Sequence, residues 1–328
     1  MRWILVLLLA YTAAGQTEHA LYACVVNAKA WVVGSRLAAS GLVKLDATAE
    51  WAQLGFVHPM ILAADYDGRD PATLYLAAGN GLIRARNGGR QWRITTGWEV
   101  TELRDVTVDR LSPGTVYFSH TAGIRKSSDG GDTWVDADTG IDQKYCETLQ
   151  ADRSRKDRIL AGCANGVFLT EDGGAHWKRT GAEGIQVRRI AQSPHRPAEW
   201  LAGTQMAGLL RSSDGGLTWE AAGDVAVDRN LYDIAFDGTN PNRIALGGFG
   251  TGVLVSEDNG ATWERRSAGL PRWDVWSVAF DPDKAGRLYA SVHEEAVFVS
   301  EDAGKSWRNA GMDGSYVYRL HFFPEAAQ

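Results

Sequence analysis

RSSDGGLTW (211–219) and KSSDGGDTW (126–134) are nearly one string, and it returns as TEDGGAHW (170–177), SEDNGATW (256–263) and SEDAGKSW (300–307). An active site needs each catalytic group once, whereas a chain assembled from like units needs one copy per unit. The closing tryptophans Trp134, Trp177, Trp219, Trp263 and Trp307 stand 43, 42, 44 and 44 residues apart. The same spacing leads back to Trp92, at the end of ARNGGRQW (85–92) with Asn87 in place of the aspartate. It then reaches Trp51, at the end of KLDATAEW (44–51), which keeps Asp46 but has Thr48 where the others have glycine. Seven slots therefore share one period, and a period of about 40–45 residues marks a repeat architecture.

The remainder of each period repeats in type. Short strand-like pieces such as GLIRAR, GVFLTE and GVLVSE precede the box. A hairpin precedes each of these, as in DVTVDRLSPGTVYFSH (105–120), DIAFDGTNPNRIALGG (233–248) and SVAFDPDKAGRLYASV (277–292). Two apolar runs around an Asp, Pro, Gly or Asn turn are hairpin chemistry. Four strands per period predict an all-β, seven-bladed β-propeller of four-stranded antiparallel blades.

The box then has a structural task. Asp129, Asp172, Asp214, Asp258 and Asp302 are placed to accept backbone N–H bonds in the turn between third and fourth strands. Glycine permits the positive φ there, and each tryptophan buries apolar surface against its own hairpin.

The C-terminal YVYRLHFFP (316–324) matches a blade's first strand with no further blade behind it, and AWVVGSRLAASGLVKLDATAEW (30–51) matches a blade from its second strand onward. The C-terminal strand is therefore expected to complete the N-terminal blade, closing the ring and removing free edges. LYACVV (21–26) competes with 316–323 for the innermost position, and that choice stays open.

The 328 residues carry a net charge of −6 with both signs interspersed. The absence of a basic stripe argues against a nucleic-acid partner. Met1-Arg2, an apolar run from Trp3 and small residues up to Gly15 read as a signal peptide over 1–15, leaving one propeller domain over 16–328. Its apolar run is too short to span a bilayer, so the mature chain is expected to be exported, to the periplasm or beyond, as a monomer without a membrane segment. Export permits a disulfide. Cys146 and Cys163 fall on neighbouring strands of one hairpin, which leaves Cys24 free; three unbridged buried thiols are the alternative.

The boxes resemble those of the Asp-box, or BNR-repeat, propellers, a superfamily that includes sialidases, xyloglucan-cleaving glycosidases, sortilin-type receptors and photosystem II assembly-factor propellers. The resemblance runs through all seven slots and implies the fold. It does not carry a function, because propellers host many.

Propeller ligands usually meet the channel mouth, where innermost strands begin. Aligned on their turns, those strands give a column Arg104, Glu147, Arg188, Tyr232, Trp276 and Tyr318. The next column is Asp105, Thr148, Arg189, Asp233, Ser277 and Arg319, and the one beyond, Val106, Leu149, Ile190, Ile234, Val278 and Leu320, is apolar and should pack between blades. Trp98 and Trp273 lie in adjoining loops. A binding face for a protein or carbohydrate partner is expected on Arg104, Arg188, Arg189, Tyr232, Trp276, Tyr318 and Arg319.

The alternative is a glycoside hydrolase of sialidase or xyloglucanase type. The resemblance to sialidases would then enlist Arg104, Arg188 and Arg319 with a Tyr/Glu pair, although the Arg-Ile-Pro motif of that family is absent. Asp105, Glu147 and Asp233 are the catalytic candidates in that case, since a glycosidase needs two carboxylates across the scissile bond. Seven histidines never fall at metal-ligand spacing, and the Gly-Gly pairs lack the strand-to-helix setting of a phosphate loop, so neither metal nor cofactor is expected.

Overall fold

The computed structural model describes residues 18–27, 40–46 and 48–325. The signal-peptide segment 1–15 and much of the stretch 30–51 read as a blade lie outside the described residues. Strands, turns and bends account for all regular structure among the described residues, with no helix. None of those residues forms a helix long and apolar enough to cross a membrane.

Five four-stranded antiparallel sheets and one eight-stranded sheet make up the molecule. Each four-stranded unit runs from an inner strand outward to the short strand that follows the box. In the unit Cys146–Ala151, Ile159–Cys163, Gly166–Thr170 and Lys178–Gly181, every strand pairs with the next. The eight-stranded sheet is two such units welded together. Trp200–Ala207 and Val227–Phe236 pair with each other at Gln205↔Asn230 and Ala207↔Val227. Periodicity did not announce this weld, because the extra pairing falls in the variable stretch between boxes.

The sheet that holds both ends of the described chain has the order Ser315–Pro324, His19–Asn27, Gly41–Leu45, Trp51–Leu54. The C-terminal strand takes the inner position and His19–Asn27 the second. This corrects the expectation that the second strand begins near residue 30. The segment LYACVV fills that place instead, pairing along its length with 315–324.

The apolar core is divided into clusters, each shared by two neighbouring units. Ile190 and Trp200 pack with Leu160 and Val167 of the preceding unit, and Ile234 and Leu246 with Ala191 and Leu201. Leu21, Val43 and Leu320 pack with Val297 and Val299, so the unit built from both termini shares a core with the one before it. The third aligned column, Val106 through Leu320, is buried in these clusters as expected.

The boxes hold their turns as their chemistry predicted. Asp214 accepts from the Leu217 and Thr218 N–H groups and the Thr218 and Ser212 hydroxyls, while Ser212 accepts the Gly216 N–H at 2.8 Å. Asp129, Asp172, Asp258 and Asp302 repeat this pattern. The tryptophans correct the expectation. They bridge neighbouring units rather than lying against their own hairpin alone. Trp134 Nε1 donates to Thr95, Trp177 to the Ala137 carbonyl and Trp307 to the Arg266 carbonyl, each in the preceding unit. Trp51 donates in the same manner to the Ala310 carbonyl at 2.7 Å.

Cys146 and Cys163 face each other in register and form a disulfide, with Cys24 free and buried.

Candidate functional site

Six inner strands carry a β-bulge at the same aligned position. Pairing of Cys146 with Cys163 and of Thr148 with Gly162 leaves Glu147 as the extra residue. The same skip singles out Leu62, Arg188, Tyr232, Trp276 and Tyr318. Arg104 joins them, because its N–H bonds the Ser119 carbonyl at 2.8 Å while Asp105 also opposes Ser119. A bulge sets two consecutive residues against one partner and re-aims a side chain. That is why two adjacent columns are both polar on a strand that would otherwise alternate. The close approach has a steric condition: a Cβ at Gly162 would lie 2.6 Å from the Thr148 and Val187 side chains.

The bulge residues meet around one cavity of about 260 Å³, lined by Met60, Leu62, Arg104, Glu147, Arg188, Tyr232, Trp276, Tyr318 and Arg319. Six of the seven sequence-predicted binding residues are therefore brought together, with Glu147 among them. Arg189 is not. It lies one layer deeper, lining two other cavities along the channel. Trp98 is 91% exposed and Trp273 lies under the Arg265 guanidinium; neither lines the mouth.

One side of the mouth is aromatic. Trp276 contacts Tyr232, Phe249, His293 and Tyr318, with ring centroids 4.5 to 5.8 Å apart. Its Nε1 is committed to His293 Nδ1 at 2.8 Å, which fixes the indole and leaves a face to offer. The Arg188 guanidinium stands 5.5 Å from the Tyr232 ring centre, within cation–π range. The other side is a polar network centred on Glu147. Its Oε1 accepts from Arg188 at 2.6 Å, Gln186 at 2.9 Å and Tyr145 at 3.1 Å, and Arg104 bonds the Tyr145 hydroxyl. Arg188 also reaches Gln205 at 2.7 Å, on the weld between the two fused units.

The layer beneath is a network of buried charges. Asp233 accepts the Ile234 and Val278 N–H groups and the Ser277 hydroxyl, and pairs with Arg189 at 3.0 Å and Arg319 at 3.2 Å. Asp105 accepts the Val106 and Leu149 N–H groups and stands 3.8 Å from Arg189. These two carboxylates bind one inner strand to the next. Similar links join other inner strands: Thr148 to the Ile190 N–H, Ser277 to the Leu320 N–H, His321 to the Ala64 N–H and Asp65 to the Val108 N–H. No group of three or more His, Cys, Asp or Glu side chains among the described residues is arranged to hold a metal ion.

Sequence alignment missed Leu62 and Met60, because apolar side chains in the first complete unit gave no polar signal. It also missed Tyr145, Gln186 and Gln205, which lie outside the aligned strand starts and reach the site only through Glu147 and Arg188.

No protein-family model matches the chain. Among curated proteins, a probable oligoxyloglucan-reducing end-specific xyloglucanase of Neosartorya fischeri is 25% identical over 208 residues, covering 56% of this chain and 24% of that protein. Among solved structures, the GH74 enzyme of Niastella koreensis superposes with a TM-score of 0.69 at 17% identity, over 89% of this chain and 54% of that one. YCF48 bound to D1 peptide gives 0.59 at 18% identity, over 76% and 81%. The chain thus spans about a quarter of the curated relative and about half of the GH74 enzyme. These likenesses support a β-propeller fold.

Proposed function

We propose that this chain is an exported, single-domain propeller of seven blades, two of them fused, whose ring is closed by the C-terminal strand. It acts as a non-enzymatic binding module that takes a glycan segment at the channel mouth. Closure is supported by the unbroken succession of inner-strand links and by Trp51 reaching Ala310 as other box tryptophans reach their predecessors. The observation that carries the ligand reading is the make-up of the mouth, which sets three aromatic rings beside a single carboxylate. Aromatic faces stack on the apolar faces of sugar rings, while Glu147 and the arginines offer hydrogen bonds to hydroxyls.

A glycosidase would need a second carboxylate across the bond it cleaves. Asp105 and Asp233 line the layer below and are tied to backbone N–H groups and to Arg189, so Glu147 has no partner for that work at the mouth. A protein segment is the competing ligand, since YCF48 is a propeller solved with a bound peptide.

Arrays of neutral and acidic oligosaccharides and of peptides, probed with the full chain and with Trp276→Ala, test the reading. Glycan capture that falls tenfold or more in the variant supports it. Capture of peptides alone, or turnover of fluorogenic glycosides that is lost in Glu147→Gln, would replace it.

A further inference from the structure

The channel has a second end. Where the inner strands finish, a cavity of about 430 Å³ opens, lined among others by Asp65, Arg110, Arg153, Arg189, His321 and Phe322. An adjoining space of about 190 Å³ shares Arg153, Arg189, His321 and Phe322, and is walled by Ala191, Ala235 and Ala279. Three successive inner strands place alanine where others place Asp65, Thr107, Gln150 or His321, and this leaves room beside small apolar side chains within a mostly polar lining.

The ion pairs there engage every guanidinium of the lining but one. Arg110 pairs with Asp65 and lies 4.1 Å over the Tyr66 ring. Arg189 is held between Asp233 and Asp105. Asp152, the remaining carboxylate on the wall, is committed to Arg158 at 2.7 Å. Arg153 alone has no carboxylate within ion-pair distance among the described residues. Its guanidinium has a single marginal contact, to the Gln192 carbonyl at 3.5 Å.

We propose that this end of the channel is a second ligand site, for a small organic monocarboxylate whose carboxylate pairs with Arg153 and whose hydrocarbon part enters the alanine recess. A planar guanidinium fork matches a carboxylate through two parallel hydrogen bonds. Arg153 is exposed and without a carboxylate partner among the described residues, so one negative charge matches it, whereas a phosphate dianion would bring excess charge close to Asp65, Asp105 and Asp233. The recess and Phe322 favour an anion with an apolar body over a bare oxyanion.

Benzoate is the probe, with benzyl alcohol and inorganic phosphate as comparisons, titrated calorimetrically into the full chain at low ionic strength. The expected result is saturable benzoate binding that weakens tenfold or more in Arg153→Gln and persists in Arg155→Gln, which removes the same charge from the same loop. Benzyl alcohol and phosphate should bind at least tenfold more weakly than benzoate. Unchanged melting temperatures establish that both variants are folded. Absence of saturable benzoate binding, equal weakening in both variants, or preference for phosphate overturns the site. The titration uses no mouth ligand, so its outcome is independent of glycan capture.

Discussion

The boxes at the outer turns and the bulges at the channel each occur once per unit, yet they repeat different things. The boxes repeat side chains: serine or threonine, aspartate, glycine and tryptophan return because the same hydrogen bonds must be made each time. The bulges repeat only a backbone shape. Their side chains are Leu62, Arg104, Glu147, Arg188, Tyr232, Trp276 and Tyr318, which are apolar, charged and aromatic by turns. Where identity is constant the residue serves the frame. Where geometry is constant and identity varies, the positions are free to compose a ligand site.

That contrast can be broken most severely at the frame. Removing residues 315–325 takes away the inner strand that pairs along His19–Asn27, and the expected outcome is loss of the cooperative melt by circular dichroism. Trp177→Ala comes next. The indole is only 5% exposed and bridges two units. Truncating a buried tryptophan costs about 3–5 kcal/mol, so calorimetry should show a fall in melting temperature on the order of 10 °C. At the mouth the same change should leave the frame nearly intact: Tyr318→Ala is expected to reduce glycan capture at least tenfold while lowering the melting temperature far less than Trp177→Ala. Equal thermal losses at Trp177 and Tyr318 would erase the distinction.

The mildest test is acid. The Thr262 and Ser306 hydroxyls, seconded by backbone N–H groups, hold Asp258 and Asp302 down to about 2, and the His176 N–H does the same for Asp172. A carboxylate depressed in the folded state stabilises fully above its unfolded value near 4 and ceases to do so as pH falls towards 2. Melting temperatures should therefore decline between pH 4 and pH 2. Asp258→Asn should flatten that decline slightly while lowering the melting temperature by about 2 °C at pH 7.

Much of the frame was legible because repetition amplifies it. Five sharp boxes located Trp92 and Trp51, and the hairpins between them gave strand number and order. The second strand of the N-terminal sheet was misplaced because His19–Asn27 precedes the first box by an atypical distance, so no period pointed to it. At the inner strands, the aligned columns gave no reason why Arg188 and Arg189 are both polar. Strand alternation would turn one of them away; the bulge that keeps both on the channel side is a feature of pairing with Thr204 and Gly203, invisible in either strand alone. Arg153 escaped notice for a related reason, since its significance lies in the carboxylates that neighbouring strands commit elsewhere.

The pairing of His19–Asn27 with Ser315–Pro324 has a consequence for biosynthesis. A chain made from its amino end produces one partner nearly three hundred residues before the other. Throughout translation the early strand presents an unsatisfied edge, which is a template for association with other chains. Chaperone holding would shield that edge until the late strand arrives, and release before then should favour aggregation over a finished molecule.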